Sequence, residues 1–273
     1  MESTDAAADE PVIIVREGPL LILTLNRPKR MNAFTGSMLL LLSDAYAEAD
    51  KDDEIRCIIL TGAGGNFSSG ADLRAMAGDP DDPQAAALAQ RFKDDPEIAQ
   101  RGFLKTNRPR KPIIAAVEGV AIAGGTEILL GTDIRVASET ARFGVSEARW
   151  SLYPMMGSAV RLPRQISYTA AAEILLTGKH ISGNEALELG LVGHVVPEGQ
   201  ALAKAKEIAA QICANGPLAV EAILATIRET GGMTEAEGFD NERERAVAVF
   251  ATEDAKEGPK AFAEKRTPQF KRR

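Results

Sequence analysis

A chain of 273 residues, 45% hydrophobic and 26% charged, can bury a large core as one domain with an appendage or as two modest domains. Its net charge of −7 argues against a general nucleic-acid binder, which presents a basic face, but leaves room for a local cationic pocket around an anionic ligand. No apolar run approaches the ~20 residues of a membrane span, and the small, acidic start Met1–Glu10 is no signal peptide, so the chain reads as soluble and cytoplasmic with residues 1–10 disordered.

In chain order, Val12 to Val15 and Leu20 to Leu25 read as strands joined by Glu17-Gly18-Pro19. Met38, Leu41, Leu42 and Ala45 recur at helical spacing, which predicts a helix over Phe34 to Ala49. The continuous apolar runs Arg56 to Leu60 and Pro112 to Val117 suit buried strands. Between them, Asp79 to Asp82 looks like a loop tip, and Ala85 to Gly102 has a weak helical pattern. The proline-bearing segment Met76 to Gly102 is expected to form a mobile wall that selects substrate size. Thr126 to Leu130 starts a short helix, Ile134 to Ala137 and Ala141 to Phe143 read as short strands, and Ser158 to Ile166 and Thr169 to Leu176 read as helices. From Gly183 onward the pattern is helical, with Asn184 to Leu189, Ala201 to Ala214 and Pro217 to Glu229 the clearest segments. Strand–helix alternation followed by helices alone predicts an α/β core with an α-helical C-terminal region.

Candidate chemistry gathers at glycine-rich turns. Ser69-Gly70-Ala71-Asp72-Leu73 presents a backbone N–H at Ala71, although the same residues also read as an ordinary turn with Asp72 capping a helix. Ala123-Gly124-Gly125-Thr126-Glu127 opens a helix whose free N–H groups suit an anion, while an acid in a first helical turn is common for its own sake. Glu147 follows Gly144-Val145-Ser146, and Trp150, Leu152 and Tyr153 are expected to desolvate it and raise its pKa. Two acids beside exposed amides can move protons while holding a developing negative charge. The two histidines, His180 and His194, read as structural, Cys57 reads as an inert core thiol, and no metal-ligand spacing appears. A nucleotide phosphate loop, a complete dinucleotide fingerprint and a G-x-S-x-G elbow are all missing from the sequence.

Four motifs in order resemble the crotonase (enoyl-CoA hydratase/isomerase) superfamily. They are Leu25-Asn26-Arg27-Pro28 with Asn32-Ala33, Phe67 to Leu73, Ala123 to Glu127, and Phe143 to Glu147. Trp150 to Pro154, Glu257-Gly258-Pro259 and Phe262 to Arg266 are similar to actinobacterial hydratases, including those of steroid breakdown. The resemblance implies a spiral of ββα turns over residues 11–200. It also implies a helical region over 201–273 that builds a homotrimer or a dimer of trimers. The ligand it implies is an acyl-CoA thioester, with CoA part of the substrate and no separate cofactor. It places the oxyanion amides at Ala71 and Gly124, the two hydratase carboxylates at Glu127 and Glu147, and substrate contacts at Arg30, Ala33, Ser69, Asp72, Leu73, Phe262 and Lys265. Pro154 is followed by Met155-Met156 where many hydratases have glycine, so Met155 is expected to line an apolar acyl pocket. The activity implied is hydration of a 2-enoyl-CoA. Isomerase, hydrolase or decarboxylase chemistry on acyl-CoAs, and a non-catalytic trimeric scaffold, are the alternatives.

Overall fold

The computed structural model describes residues 10–72 and 85–273. Its larger sheet has six strands in the order β1-β2-β3-β4-β6-β9, and a smaller one has three in the order β5-β7-β8. The strands are β1 (Val12–Glu17), β2 (Leu20–Leu25), β3 (Cys57–Gly62), β4 (Ile113–Val117), β5 (Val120–Ile122), β6 (Ile134–Ser138), β7 (Arg142–Gly144), β8 (His180–Ser182) and β9 (His194–Val196). β1 and β2 form an antiparallel hairpin, and β2, β3, β4, β6 and β9 then run parallel. β3 and β4 lie in the middle of the sheet with helices over both faces, which is why their sequences are continuous apolar runs rather than alternating ones.

Alternate residues of these strands feed two cores. Leu23, Leu25, Ile58, Leu60, Ile113, Ala115 and Val117 pack with Met38, Leu42 and Tyr46 of the helix Gly36–Lys51. Thr35 caps that helix, its Oγ1 accepting from Met38 N–H at 3.3 Å. On the other face Ile22, Cys57, Ile59, Ile114 and Ala116 meet Ala201, Ala205 and Ala209 of the helix Ala201–Ala214. Three alanines on one stripe let that helix lie close to the sheet. Cys57 is fully buried, and burial pushes its thiol far above the usual range, as suits an inert core group.

The helical segment expected between residues 85 and 102 is two helices, Ala85–Asp94 and Ile98–Gly102, parted at Pro96, which cannot continue a helix. The part of the proposed mobile wall from Met76 to Gln84 lies outside the described residues. Its other end is packed rather than loose: Arg101 bonds Ser43 and Asp95, and a Cβ on Gly102 would stand 2.6 Å from Leu39 O. Three strands were not foreseen: β5, β8 and β9. Each has three residues, and each is held by partners far along the chain.

The C-terminal helices Glu235–Phe250 and Glu253–Ala263 follow Pro217–Glu229. The tail is fastened by Asp254, whose carboxylate accepts from Lys271 and Arg272 N–H, and by Arg272, which bonds Glu221 through both NH groups. Among the described residues no single helix is long and apolar enough to cross a membrane.

Candidate active site

The site is built where the C-terminal ends of β2, β3 and β4 meet the small sheet. β3 ends at Gly62 and leads through a glycine turn to Ala71, and β4 turns directly into β5. Isolated parallel bridges, Phe34 with Ala71 and Ser68 with Ala121, knit these segments together. The buried Asn32 is the hub. Its Oδ1 accepts from Arg27 N–H at 2.8 Å, and its Nδ2 donates to Ala63 O and Asn66 O at 2.9 and 2.7 Å. Ser68 Oγ donates to Asn32 O at 2.8 Å and accepts from Gly70 N–H at 3.2 Å.

This scaffold leaves two amides free. Phe34 N–H donates to Gly70 O and Asp72 N–H to Phe34 O, so the Ala71 N–H between them points away from Phe34 and has no partner among the described residues. Gly124 N–H, at the start of the helix Gly124–Leu129, likewise has none. The two are close, because a Cβ added to Gly70 would sit 3.0 Å from Gly124 N and 2.8 Å from Ala123 Cβ. With φ +97, Gly70 is also in a backbone region that side chains rarely adopt. Ala123 holds φ 50 and ψ −125, a strained geometry for alanine, fixed by its N–H to Gly144 O at 2.7 Å. Two free amides so close together, one of them at a helix start, are chemically able to hold an oxygen that gains negative charge.

Glu127 lies in the first turn of that helix and is 3% exposed. Its Oε1 accepts from Met156 N–H at 2.9 Å, Ser158 N–H at 3.3 Å and Ser158 Oγ at 3.1 Å. Burial pushes its carboxyl above the usual range, while the Ser158 and Met156 hydrogen bonds and the Lys105 charge pull it back. Glu147 opens the short 3₁₀ turn Glu147–Trp150, and its Oε2 is buried without a partner among the described residues. Burial raises this carboxyl too, and the charge of Glu127 raises it further, which places the two acids in one electrostatic site. Trp150, Leu152 and Tyr153, expected to bury Glu147, instead stand mostly in solvent, at 74%, 52% and 71% exposure. Glu147 is nonetheless desolvated, as expected.

The other candidate residues separate into groups. Arg30 ends the turn Pro28–Arg30, exposed and without a side-chain partner among the described residues. Ala33 is buried and its carbonyl accepts from Arg27, which also pairs with Asp72 at 2.9 Å. Ser69 is half-buried, its N–H donating to Met31 O. Leu73 lies outside the described residues. Met155 is 66% exposed, with its carbonyl bonded by Lys105 Nζ at 2.8 Å. Phe262 is 88% exposed and Lys265 is exposed. Their segment is tied through Asp254 and Glu257 to a tail whose Arg272 pairs with Asp53 beside the N-terminal end of β3. Within one chain these two residues are not joined to the carboxylates.

Comparison with known proteins decides the lineage. Residues 16–273 match the enoyl-CoA hydratase/isomerase family. The chain belongs to that family. It is 56% identical over 263 residues to the enoyl-CoA hydratase EchA19 of Mycobacterium tuberculosis, covering 96% of each protein. It is 36% identical over 269 residues to a carnitinyl-CoA dehydratase of Salmonella typhi, covering 97% of this chain and 99% of that one. A crystal structure of an enoyl-CoA hydratase from Mycobacterium tuberculosis superposes with a TM-score of 0.86 at 39% identity, covering 97% of this chain and all of the other. The architecture is the crotonase fold, as the motifs implied.

Several supports of this family site were invisible in the motifs. The Met156 and Ser158 amides act through backbone, which sequence does not display. Gly157, at φ +111, was the available signal that the chain turns there to aim them. His180 Nε2 shares a hydrogen bond with Ser146 Oγ at 2.7 Å and so steadies the residue before Glu147, a structural role as expected. Thr126 Oγ1 lies 2.6 Å from Ala121 O and accepts from Gly144 N–H at 3.0 Å, tying the Glu127 helix to both β5 and β7.

Proposed function

We propose that the protein is an enoyl-CoA hydratase that adds water syn across the 2,3 double bond of a 2-enoyl-CoA to give the 3-hydroxyacyl-CoA. The observation that carries this is the unlike treatment of two neighbouring acids. Burial raises both carboxyls, but three donors on one Glu127 oxygen oppose that rise, whereas Glu147, opposed only by local backbone amides, keeps one buried oxygen bare and feels the Glu127 charge. Such a pair holds one proton between its members and can use both states at once.

The thioester oxygen accepts from Ala71 and Gly124 N–H. Glu127 takes a proton from water as the oxygen bonds C3. The double-bond electrons move toward the carbonyl, and the amides hold the enolate charge. Glu147 then gives its proton to C2. Glu127 is left protonated and Glu147 ionised, and transfer of one proton through solvent restores the starting state. One preorganised donor to such an oxygen is worth ~3 kcal/mol of barrier. A lone carboxylate suffices to shuttle a proton between two carbons, so a pair favours hydration over isomerisation.

Arg30, Ser69, Ala33, Asp72 and Leu73 are assigned to the CoA moiety and Met155 to the acyl pocket. Phe262 and Lys265 are assigned to CoA from an adjacent subunit of a trimer, single or paired, since both are exposed and neither bonds Glu127 or Glu147 among the described residues of their own chain. A cytoplasmic setting and an acyl group as bulky as a steroid side chain are the finer proposals, the latter supported by Met155, an exposed, adaptable apolar side chain next to the Met156 amide that bonds Glu127. The test is Glu127→Gln and Glu147→Gln assayed by loss of enoyl-thioester absorbance on crotonyl-CoA, longer enoyl-CoAs and a steroid side-chain enoyl-CoA. Both variants should lose at least about a hundredfold in kcat. Near wild-type rates in both would refute the assignment, and loss in Glu147→Gln alone would make isomerase the better description.

A further inference from the structure

Lys105 enters no family motif quoted above, yet it sits one residue from a backbone that the fold holds at some cost. Leu104 has φ 54, a left-handed conformation that a leucine adopts only under constraint. The constraint is visible. Leu104 is fully buried, and a Cβ on Gly131 would come within 2.5 Å of Leu104 Cβ, so leucine occupies space that glycine leaves just after the Glu127 helix. Lys105 is then clamped on three sides. Its N–H donates to Gln100 O at 2.8 Å, its carbonyl accepts from Arg161 NH2 at 2.9 Å, and its Nζ donates to Met155 O at 2.8 Å. Its side chain is exposed and makes no ion pair among the described residues, so a flexible, solvated ammonium is spent on one backbone carbonyl.

We propose that Lys105 is a positioning residue for hydration: by fastening the Met155 carbonyl, it holds the following amide, Met156 N–H, against Glu127. The relay runs from Gly131 and Leu104 through Lys105 Nζ to Met155 O, and from Met156 N to Glu127 Oε1 at 2.9 Å. Its chemical purpose is twofold. The Met156 amide fixes the direction of the carboxylate that must meet water. The ammonium's charge also works against the rise that burial imposes on the Glu127 carboxyl. The other groups facing Glu127 are its partner Glu147 from the Glu147–Trp150 turn, which disfavours a second charge, and the Ser158 hydroxyl and amide from the helix Ser158–Gln165. Arg161 of that same helix holds the Lys105 backbone rather than the carboxylate.

This inference rests on the hydratase reading, and its test separates the two. Lys105→Met keeps the stem and removes both charge and donor, Lys105→Arg keeps both, and Lys51→Met removes an exposed positive charge elsewhere as a control. kcat and kcat/KM for crotonyl-CoA are measured from acid to alkaline pH, beside melting temperatures. Lys105→Met should lower kcat about tenfold with little change in KM or melting temperature, and move the acid limb of kcat/KM to higher pH. Lys105→Arg and Lys51→Met should keep the wild-type limb. A carboxyl-carbon NMR titration of glutamate-labelled protein, with Glu127 assigned by Glu127→Gln, reads the same contact without turnover; the Glu127 midpoint should rise in Lys105→Met. An active wild type whose profile and Glu127 titration are unchanged in Lys105→Met, or Met and Arg variants that behave alike, would overturn the proposal. Wild-type protein without hydration of any enoyl-CoA would overturn the functional reading instead, while the titration still decides whether Lys105 acts on Glu127.

Discussion

Ser158→Ala tests whether Glu127 works as an ionised base. The hydroxyl is fully buried and donates to Glu127 Oε1 at 3.1 Å, while the Ser158 and Met156 amides at 3.3 and 2.9 Å remain in the variant. A hydrogen bond to a charged group contributes ~1.5–3 kcal/mol, and each ~1.4 kcal/mol is tenfold in rate. The expected loss is thus about ten- to a hundredfold, toward the lower end because two donors persist. The sign follows from the group itself. Burial already lifts this carboxyl, and the Ser158 bonds oppose that lift, so removing the hydroxyl raises it further. The acid limb of kcat/KM on crotonyl-CoA should move to higher pH, and the deficit should shrink as pH rises and the carboxylate ionises. Stopped-flow loss of enoyl-thioester absorbance across the pH range measures this. A deficit equal at every pH, or no deficit, would show that the hydroxyl does not sustain the charge on Glu127.

Other expectations rest on different contacts. Glu127 is a carboxyl raised in the folded state, so its stabilising contribution is full below its unfolded value and is lost as pH rises through the folded one. Glu127→Gln should therefore be inactive yet more stable near neutrality, by ~0.5–2 kcal/mol or roughly 2–6 °C, with the gain vanishing near pH 4 in scanning calorimetry. Glu221→Ala should cost ~3–5 kcal/mol, because Lys111, 1% exposed, loses the carboxylate it meets at 3.2 Å, while Arg110 and Arg272 lose one of their two carboxylates and keep Asp53. Denaturant midpoints of this variant, and of Lys111→Met/Glu221→Leu as the compensated pair, measure that. Gly124→Ala brings its Cβ to 3.2 Å from the Phe103 ring and 3.4 Å from Gly70 Cα, a crowding that a shift of the ring by a few tenths of an ångström relieves, so the variant should fold. It should nonetheless lose about a hundredfold or more in kcat/KM as a methyl crowds the amide that faces the thioester, with circular dichroism as the control.

What the sequence displays is what local chemistry sets. β3 and β4 were legible because burial on both faces writes itself as an unbroken apolar run, and the helix Gly36–Lys51 because one face must meet the sheet. β5, β8 and β9 were not, since three residues show no period and their pairing depends on Arg142, Gly144 and Val136, distant in the chain. In the site, Glu127 and Glu147 stood out as acids among small and apolar residues. The groups that make them unlike, a hydroxyl at 158, an amide at 156 and a lysine at 105, reach across the fold and leave no spacing to read. Arg27 shows the same limit. It belongs to a motif, but its pairing with Asp72 at 2.9 Å appears only once two loops converge.

That division has a consequence for how such a site tolerates different acyl groups. The proposed oxygen cradle is backbone, drawn from two separate segments, and those segments are held by contacts away from the two free amides: Ser68 on Asn32, Ala123 on Gly144, Thr126 on Ala121. Ala123 remains in a conformation costing of order 1–3 kcal/mol because those contacts over-determine it. The exposed Met155 and its neighbours carry none of this framework in their side chains; only the Met155 carbonyl and the Met156 amide do. Side chains at the mouth can therefore change to fit a new acyl group while the backbone between them keeps Glu127 in register with the amides. Substituting Met155 should move substrate preference, whereas freeing its carbonyl from Lys105 should move the pH at which the carboxylate works.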